Sequence, residues 1–284
     1  MKGMARKWFI RRAERKGIPW TVSSDSYRLR SDKLQNFYDQ VRDPTLEYPS
    51  YYKMPFHGYD KGNLNWKAAY EMEASAYSMS SGYWKELEYG EATQYVRGNF
   101  TECVLRFTSS PRRILDIGCA TGISTSHLAA TFPNAECVTG VDLSPHFLAV
   151  ARDTCERGFP NTEFVHANGE SLPFDDHTFD AVCISYVMHE LPTEAARKIL
   201  AECKRVLSKD GGGLFVVDLD PEKLRTRSVS SFRRWAFAVT EPHIEDYLSR
   251  PDPGRLMVRE GFARVGSRPN DPLNTIWVGI SDTL

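Results

Sequence analysis

From Arg113 onward the chain alternates between short apolar runs and longer amphipathic stretches, and nothing else restricts its fold as much. Strand-length runs occupy Arg113–Ile117, Cys137–Asp142, Glu163–His166, Asp180–Ser185 and Gly213–Asp218. Helical stretches lie between them at Gly122–Phe132, Pro145–Arg157 and Thr193–Leu207. Such alternation predicts a mostly parallel sheet covered on both faces. Ser144-Pro145 starts the second helix with a capping residue followed by proline at the first helical position. Gly211-Gly212-Gly213 turns the chain into the fifth strand. At the end, Ala263–Ser267 and Thr275–Ile280 are joined by a Pro/Asn/Asp turn, which predicts a hairpin and an antiparallel last strand.

The first 108 residues have a different grammar. They are rich in Tyr and Trp, with helices expected at Trp66–Ser80 and Glu91–Phe107 and a loop at Tyr48–Trp66. At 284 residues, 41% hydrophobic and 26% charged, the chain suits one globular domain plus a cap. A net charge of -1 and the lack of a basic, aromatic-lined groove argue against nucleic acid as a partner. The six cysteines form no CxxC pair and no zinc spacing, so a reducing compartment and no metal are expected. No segment approaches the roughly 20 apolar residues of a membrane span. Lys2, Arg6, Lys7, Arg11, Arg12, Arg15 and Lys16 face only Glu14. That basic start fits a solvated helix in a cytoplasmic protein, or a plastid or mitochondrial targeting segment.

Ile114-Leu115-Asp116-Ile117-Gly118-Cys119-Ala120-Thr121-Gly122 reads as strand, tight turn and helix start. Such a turn brings backbone close to a ligand, with free helix amides expected to face it. A dinucleotide site wants glycine at two positions held here by Ala120 and Ile123. Asp142 ends the second strand, where its carboxylate can accept ribose hydroxyls at about 1.5–3 kcal/mol per charge-assisted bond.

Three further segments follow in order: Phe164–Phe174 with its Leu-Pro-Phe end, Phe179-Asp180-Ala181-Val182, and Cys183–Leu191. With the loop and Asp142 they resemble the motifs of class I S-adenosylmethionine-dependent methyltransferases, from residue 113 through the terminal hairpin. The front loop Tyr48–Trp66 and Glu241-Pro242-His243 resemble plant and algal members of the methyltransferase type 11, ubiquinone/menaquinone-type group. The resemblance implies a Rossmann-like α/β fold. Its sheet has seven mostly parallel strands with an antiparallel last strand, in residues 109–284, behind a helical cap in residues 1–108. It implies that Asp116 orients the methionine part of S-adenosylmethionine, with Gly118, Cys119, Ala120 and Gly122 leaving room for it. Asp142 and Leu143 would lie at the ribose, Asn168 and Gly169 at the adenine with Glu170 in support, and Ser185 at the strand end nearest the methyl.

The expected reaction is in-line methyl transfer to a small molecule, leaving S-adenosylhomocysteine. Acceptor walls are expected from Tyr51, Tyr52, Phe56, Tyr59, Trp66 and Tyr186, with His57 or His189 touching the acceptor as a base. An NAD(P)-dependent oxidoreductase and a non-catalytic nucleoside-binding protein remain open on the same residues.

Overall fold

A computed structural model describes residues 2–84, 86–108, 110–156, 158–226 and 241–281. Arg157, the last residue of one expected helix, and the Lys2 side chain lie outside them.

The sheet runs in the order β3-β2-β1-β4-β5-β7-β6. Its strands are β1 Arg113–Ile117, β2 Cys137–Asp142, β3 Thr162–His166, β4 Ala181–Ser185, β5 Gly213–Leu219, β6 Arg264–Pro269 and β7 Asn274–Ile280. The first five pair in parallel. β7 pairs antiparallel with both β5 and β6, as the terminal hairpin predicts.

Strand periodicity sorts the core into two layers. Leu115, Val182, Ile184, Leu214 and Val216 face one side, against Ala195, Ile199, Cys203 and Val206 of helix α8, Thr193–Val206. Their neighbours Ile114, Cys183, Phe215 and Val217 face the other side. There they meet Phe100, Cys103 and Val104 of α5, Tyr89–Phe107, and Leu128 and Ala129 of α6, Ile123–Thr131. Strands buried on both faces carry no polar alternation, which is why they read as plain apolar runs.

The amino-terminal helices form a separate layer: α1 Lys2–Glu14, α2 Trp20–Arg28, α3 Ser31–Val41 and α4 Trp66–Tyr83. Tyr27, Leu34, Ala68, Ala69 and Tyr70 pack on Phe147 and Val150 of α7, Pro145–Cys155. Asn65 caps α4 by accepting from Ala68 N at 2.9 Å. Arg6 of the basic start pairs with the buried carboxylate of Glu71, tying α1 to α4. α5 precedes the change in sequence grammar near residue 110 yet covers the sheet, so that change does not coincide with a change of layer. A short helix α9, Pro221–Thr226, follows β5, and helices Ile244–Ser249 and Pro253–Arg259 precede β6. No helix among the described residues is long and apolar enough to cross a membrane.

Candidate active site

The loop after β1 coils through left-handed residues at Gly118, Ala120 and Gly122, with φ of 71°, 46° and 80°. Ala120 holds this conformation against its own Cβ, a local strain of the kind that collects at ligand sites. The amides of the turn before the helix are engaged within the protein, whereas no partner is found among the described residues for the first helical amides at Ile123, Ser124 and Thr125. Gly118 N and Cys119 N both donate to Val141 O, at 2.7 and 3.1 Å. Ala120 N donates to Asp142 Oδ2 at 2.9 Å. Gly122 N donates to Cys119 O at 2.9 Å. These bonds shape the turn and leave none of the four amides for a ligand. Cys119 points inward against Gly140, where an added Cβ would stand 2.9 Å from its Sγ.

Buried polar side chains lie beside this turn. Asp116 is fully buried. Its Oδ2 accepts from Ser124 Oγ and Thr125 Oγ1, both at 2.7 Å, while Oδ1 has no partner. Burial pushes its carboxyl up to about 6, against the two hydroxyls and the charge of Arg97. Arg97 Nη1, Thr121 Oγ1, Ser185 Oγ and the Tyr186 hydroxyl are also buried without partners. The Arg97 guanidinium lies over the Tyr186 ring, 5.2 Å from its centroid. Tyr186 itself is left-handed, at φ 61°. Buried polar groups rarely go unbonded, so atoms left open in one region signal a polar occupant.

Asp142 ends β2 beside the cap. Its Oδ1 accepts from Ser144 N at 2.7 Å and from the Tyr52 hydroxyl at 3.4 Å. Burial carries this carboxyl to about 6 as well, against the Ser144 and Ala120 amides. Ser144 Oγ donates to Asn63 O at 2.8 Å, a second tie from β2's end to the front loop. The Leu143 carbonyl accepts from His166 Nε2 at 3.0 Å. After β3, Asn168 Oδ1 accepts from Glu170 N at 3.0 Å, and Glu170 accepts from the Tyr51 hydroxyl at 2.7 Å. Gly169 sits so close that an added Cβ would be 3.1 Å from Ile117 Cγ2. The front loop thus lies across the carboxyl ends of the strands, where open α/β sheets bind ligands.

Beyond β4 the turn Met188–Glu190 carries His189. Its Nδ1 donates to Asp218 Oδ1 at 2.7 Å, and its backbone N donates to Asp218 Oδ2 at 3.2 Å. Burial opposes a charge on His189, but Asp218 outweighs it and raises the imidazole to about 9. His57 Nε2 faces Glu190 Oε1 and Glu241 Oε1, each at 3.3 Å. Burial opposes its charge too, and Glu241 and Glu190 together carry it well above its ordinary value. Both histidines feel the same two glutamates.

Two expected wall residues are turned away. The Tyr59 hydroxyl donates to Glu71 Oε2 at 2.7 Å, because that buried carboxylate gathers its partners inside the cap. Trp66 packs among Tyr38, Tyr70 and His146, at centroid distances of 5.6, 5.7 and 5.0 Å, in the seam between cap and α7. Phe56 is buried. Tyr51 and Tyr52 do reach the strand ends.

Arg97, Asp218, Ser124 and Thr125 were not legible as site residues. Arg97 is one arginine on a helix with no spacing signal. Asp218 carried a usable one: an acid inside an otherwise apolar strand must be paired once buried.

A family model described as "Methyltransferase domain" matches residues 114–211. The chain is 30% identical over 192 residues to a demethylmenaquinone methyltransferase of Thermotoga maritima, covering 62% of this chain and 80% of that protein. It is 32% identical over 147 residues to the protein of the same name from Tropheryma whipplei, covering 52% of this chain. The match takes in 57% of that relative, so the chain spans little more than half its length. The solved structure of an O-methyltransferase family protein from Burkholderia thailandensis gives a TM-score of 0.61 at 17% identity. That likeness of fold extends over 91% of this chain and 71% of the other.

Proposed function

Since the chain belongs to the class I S-adenosylmethionine-dependent methyltransferases, we propose that it methylates a small-molecule acceptor held between the front loop and the turn after β4. The observation that carries this reading is the set of buried, unbonded polar atoms at Asp116, Arg97, Ser185 and Tyr186. A carboxylate and a guanidinium there complement the ammonium and carboxylate of an amino-acid ligand. The same buried Asp116 would repel a diphosphate, which disfavours a dinucleotide. Asp142 accepts from the ribose, and Asn168 and Gly169 border the adenine.

S-adenosylmethionine supplies a methyl group already activated on a sulfonium. The residues therefore mainly align, and alignment can lower the barrier by roughly 7–11 kcal/mol. Tyr51 and Tyr52, set by Glu170 and Asp142, wall the acceptor from the cap side. His189, oriented by Asp218, takes the proton of an acceptor hydroxyl or protonated nitrogen only in its neutral form; with the imidazole raised to about 9, turnover should climb as pH rises toward that value.

Calorimetric titration with S-adenosylmethionine and with NAD tests the reading. S-adenosylmethionine is expected to bind and NAD to give no heat; the reverse would overturn the assignment. Affinity should also depend on pH in one direction. Asp116 and Asp142 titrate near 6 and bind their donors only when ionised. Affinity is therefore highest above that value and falls as pH drops through it, by about a hundredfold between pH 7 and 5 if both must ionise. Flat affinity over this range would show that neither carboxylate meets the ligand. Arg97→Met removes one charge-assisted contact worth about 1.5–3 kcal/mol. A roughly tenfold to hundredfold weaker Kd is expected, and an unchanged Kd would place the ligand's carboxylate elsewhere.

A further inference from the structure

His57, Glu190 and Glu241 come from three distant parts of the chain: the front loop, the turn after β4, and the segment before helix Ile244–Ser249. One ligand atom from each lies within 4.8 Å of the others. The two glutamates converge on a single imidazole nitrogen, and neither has a lysine or arginine partner among the described residues. Glu241 is 7% exposed, and its Oε2 is buried with no hydrogen-bond partner. Two acidic groups held together in a half-buried wall call for a compensating charge.

We propose that these three residues bind a divalent transition-metal ion such as Zn²⁺ or Mn²⁺ where the front loop meets the turn after β4. One imidazole with two carboxylates suits such an ion and leaves a coordination position open. Metal–ligand distances of about 2.0–2.2 Å in tetrahedral array put neighbouring ligand atoms about 3.4 Å apart. His57 Nε2 is 3.3 Å from Oε1 of each glutamate. The other ring nitrogen is engaged as well: Nδ1 faces Asn63 Oδ1 at 3.4 Å, so it can keep its proton while a metal ion displaces the one on Nε2. Spacing rules could not find this site, because 133 residues separate His57 from Glu190 and another 51 separate Glu190 from Glu241.

The site's use rests on the methyl-transfer reading. A cation there would draw an oxygen of the acceptor toward the site and favour its ionised form. The hydroxyl proton would pass to the neutral form of His189 or to solvent, and the oxygen pair forms the new O–C bond as the C–S bond breaks onto sulfur. The acceptor class is then a hydroxyl or enol, one with a second oxygen near enough to share the ion being best suited.

The test is direct binding by the full chain after treatment with a chelator. Mn²⁺ alone is titrated by loss of its free electron paramagnetic resonance signal, and Zn²⁺ alone by calorimetry. One ion per chain is expected, with binding weakened at least about a hundredfold in both His57→Ala and Glu241→Gln. No binding up to about 1 mM overturns the proposal and leaves a protonated His57 bridging two carboxylates. Binding that persists unchanged in both variants overturns it as well. S-adenosylmethionine affinity, measured on the same samples, reports that each variant is folded; if one variant fails this check, the other decides. It also separates the two ideas. Cofactor binding without metal binding removes only the cation site, and metal binding without cofactor binding removes only the methyl-transfer reading.

Discussion

Asp218→Asn is expected to lower kcat by about a thousandfold while the Kd for S-adenosylmethionine changes less than threefold. The magnitude follows the loss seen when a buried carboxylate behind a catalytic histidine becomes an amide. Asp218 is fully buried at the end of β5 and receives three N–H groups: His189 Nδ1 at 2.7 Å, His189 N at 3.2 Å and Leu219 N at 2.6 Å. An amide has the carboxylate's shape but can accept at only one of its two positions. It turns an N–H toward a donor, and the His189 ring must rotate or change tautomer. The proposed cofactor anchors, Asp116 and Asp142, are separate from this pair, so binding there should hold. Turnover is measured with whichever acceptor a labelled-methyl screen returns. A kcat within a factor of three of the parent, in a variant that melts normally, would end the case for His189 as base.

Gly118→Ala should lose cofactor binding by at least a hundredfold and destabilise the fold by roughly 2–3 kcal/mol. Gly118 sits at φ 71°, where an alanine is strained whatever the space around it. There is no space either: an added Cβ would overlap Val187 Cγ2, in the turn that leads to His189. The loop can relieve this only by moving, and its amides at Gly118, Cys119 and Ala120 are anchored to β2. Thermal melting and calorimetry read the two effects separately. Gly98→Ala is the contrast. Gly98 lies in α5 with nothing within 4 Å of an added Cβ, so alanine should stabilise by about 0.5–1 kcal/mol. If Gly118→Ala behaved like Gly98→Ala, the loop would not be the close-packed turn described here.

Much of the sheet was legible because each strand is an apolar run with a sharp end. Arg113–Ile117 and Cys137–Asp142 match to the residue. β5 extends one residue past its expected end, to Leu219, and β7 begins one residue early, at Asn274. Ser144 does cap α7, accepting from Phe147 N at 3.3 Å. α2 and α3 were not resolved as elements, since short polar helices draw their stability from a partner surface that periodicity does not reveal. Tyr59 and Trp66 show the same limit at the level of single residues. An aromatic's neighbours in sequence do not tell whether it faces a chamber or a seam. Tyr59 was decided by Glu71, and Trp66 by His146, residues a spacing argument has no reason to consult. The site residues that escaped, Arg97, Asp218 and Glu241, owe their significance to burial and to partners brought from other elements.

The contact between Tyr52 and Asp142 has a thermodynamic consequence. Oδ1 of Asp142 already serves the Ser144 amide, and the tyrosine hydroxyl is its weaker, longer guest at 3.4 Å. On the proposed reading, a ribose hydroxyl claiming that oxygen competes with the cap for it. An acceptor that seats against Tyr52 and draws its hydroxyl aside removes the competitor. Each ligand then tightens the other by the same factor, as linkage requires. One shared oxygen atom is enough to make the two occupancies cooperative, with no shift of the sheet between them.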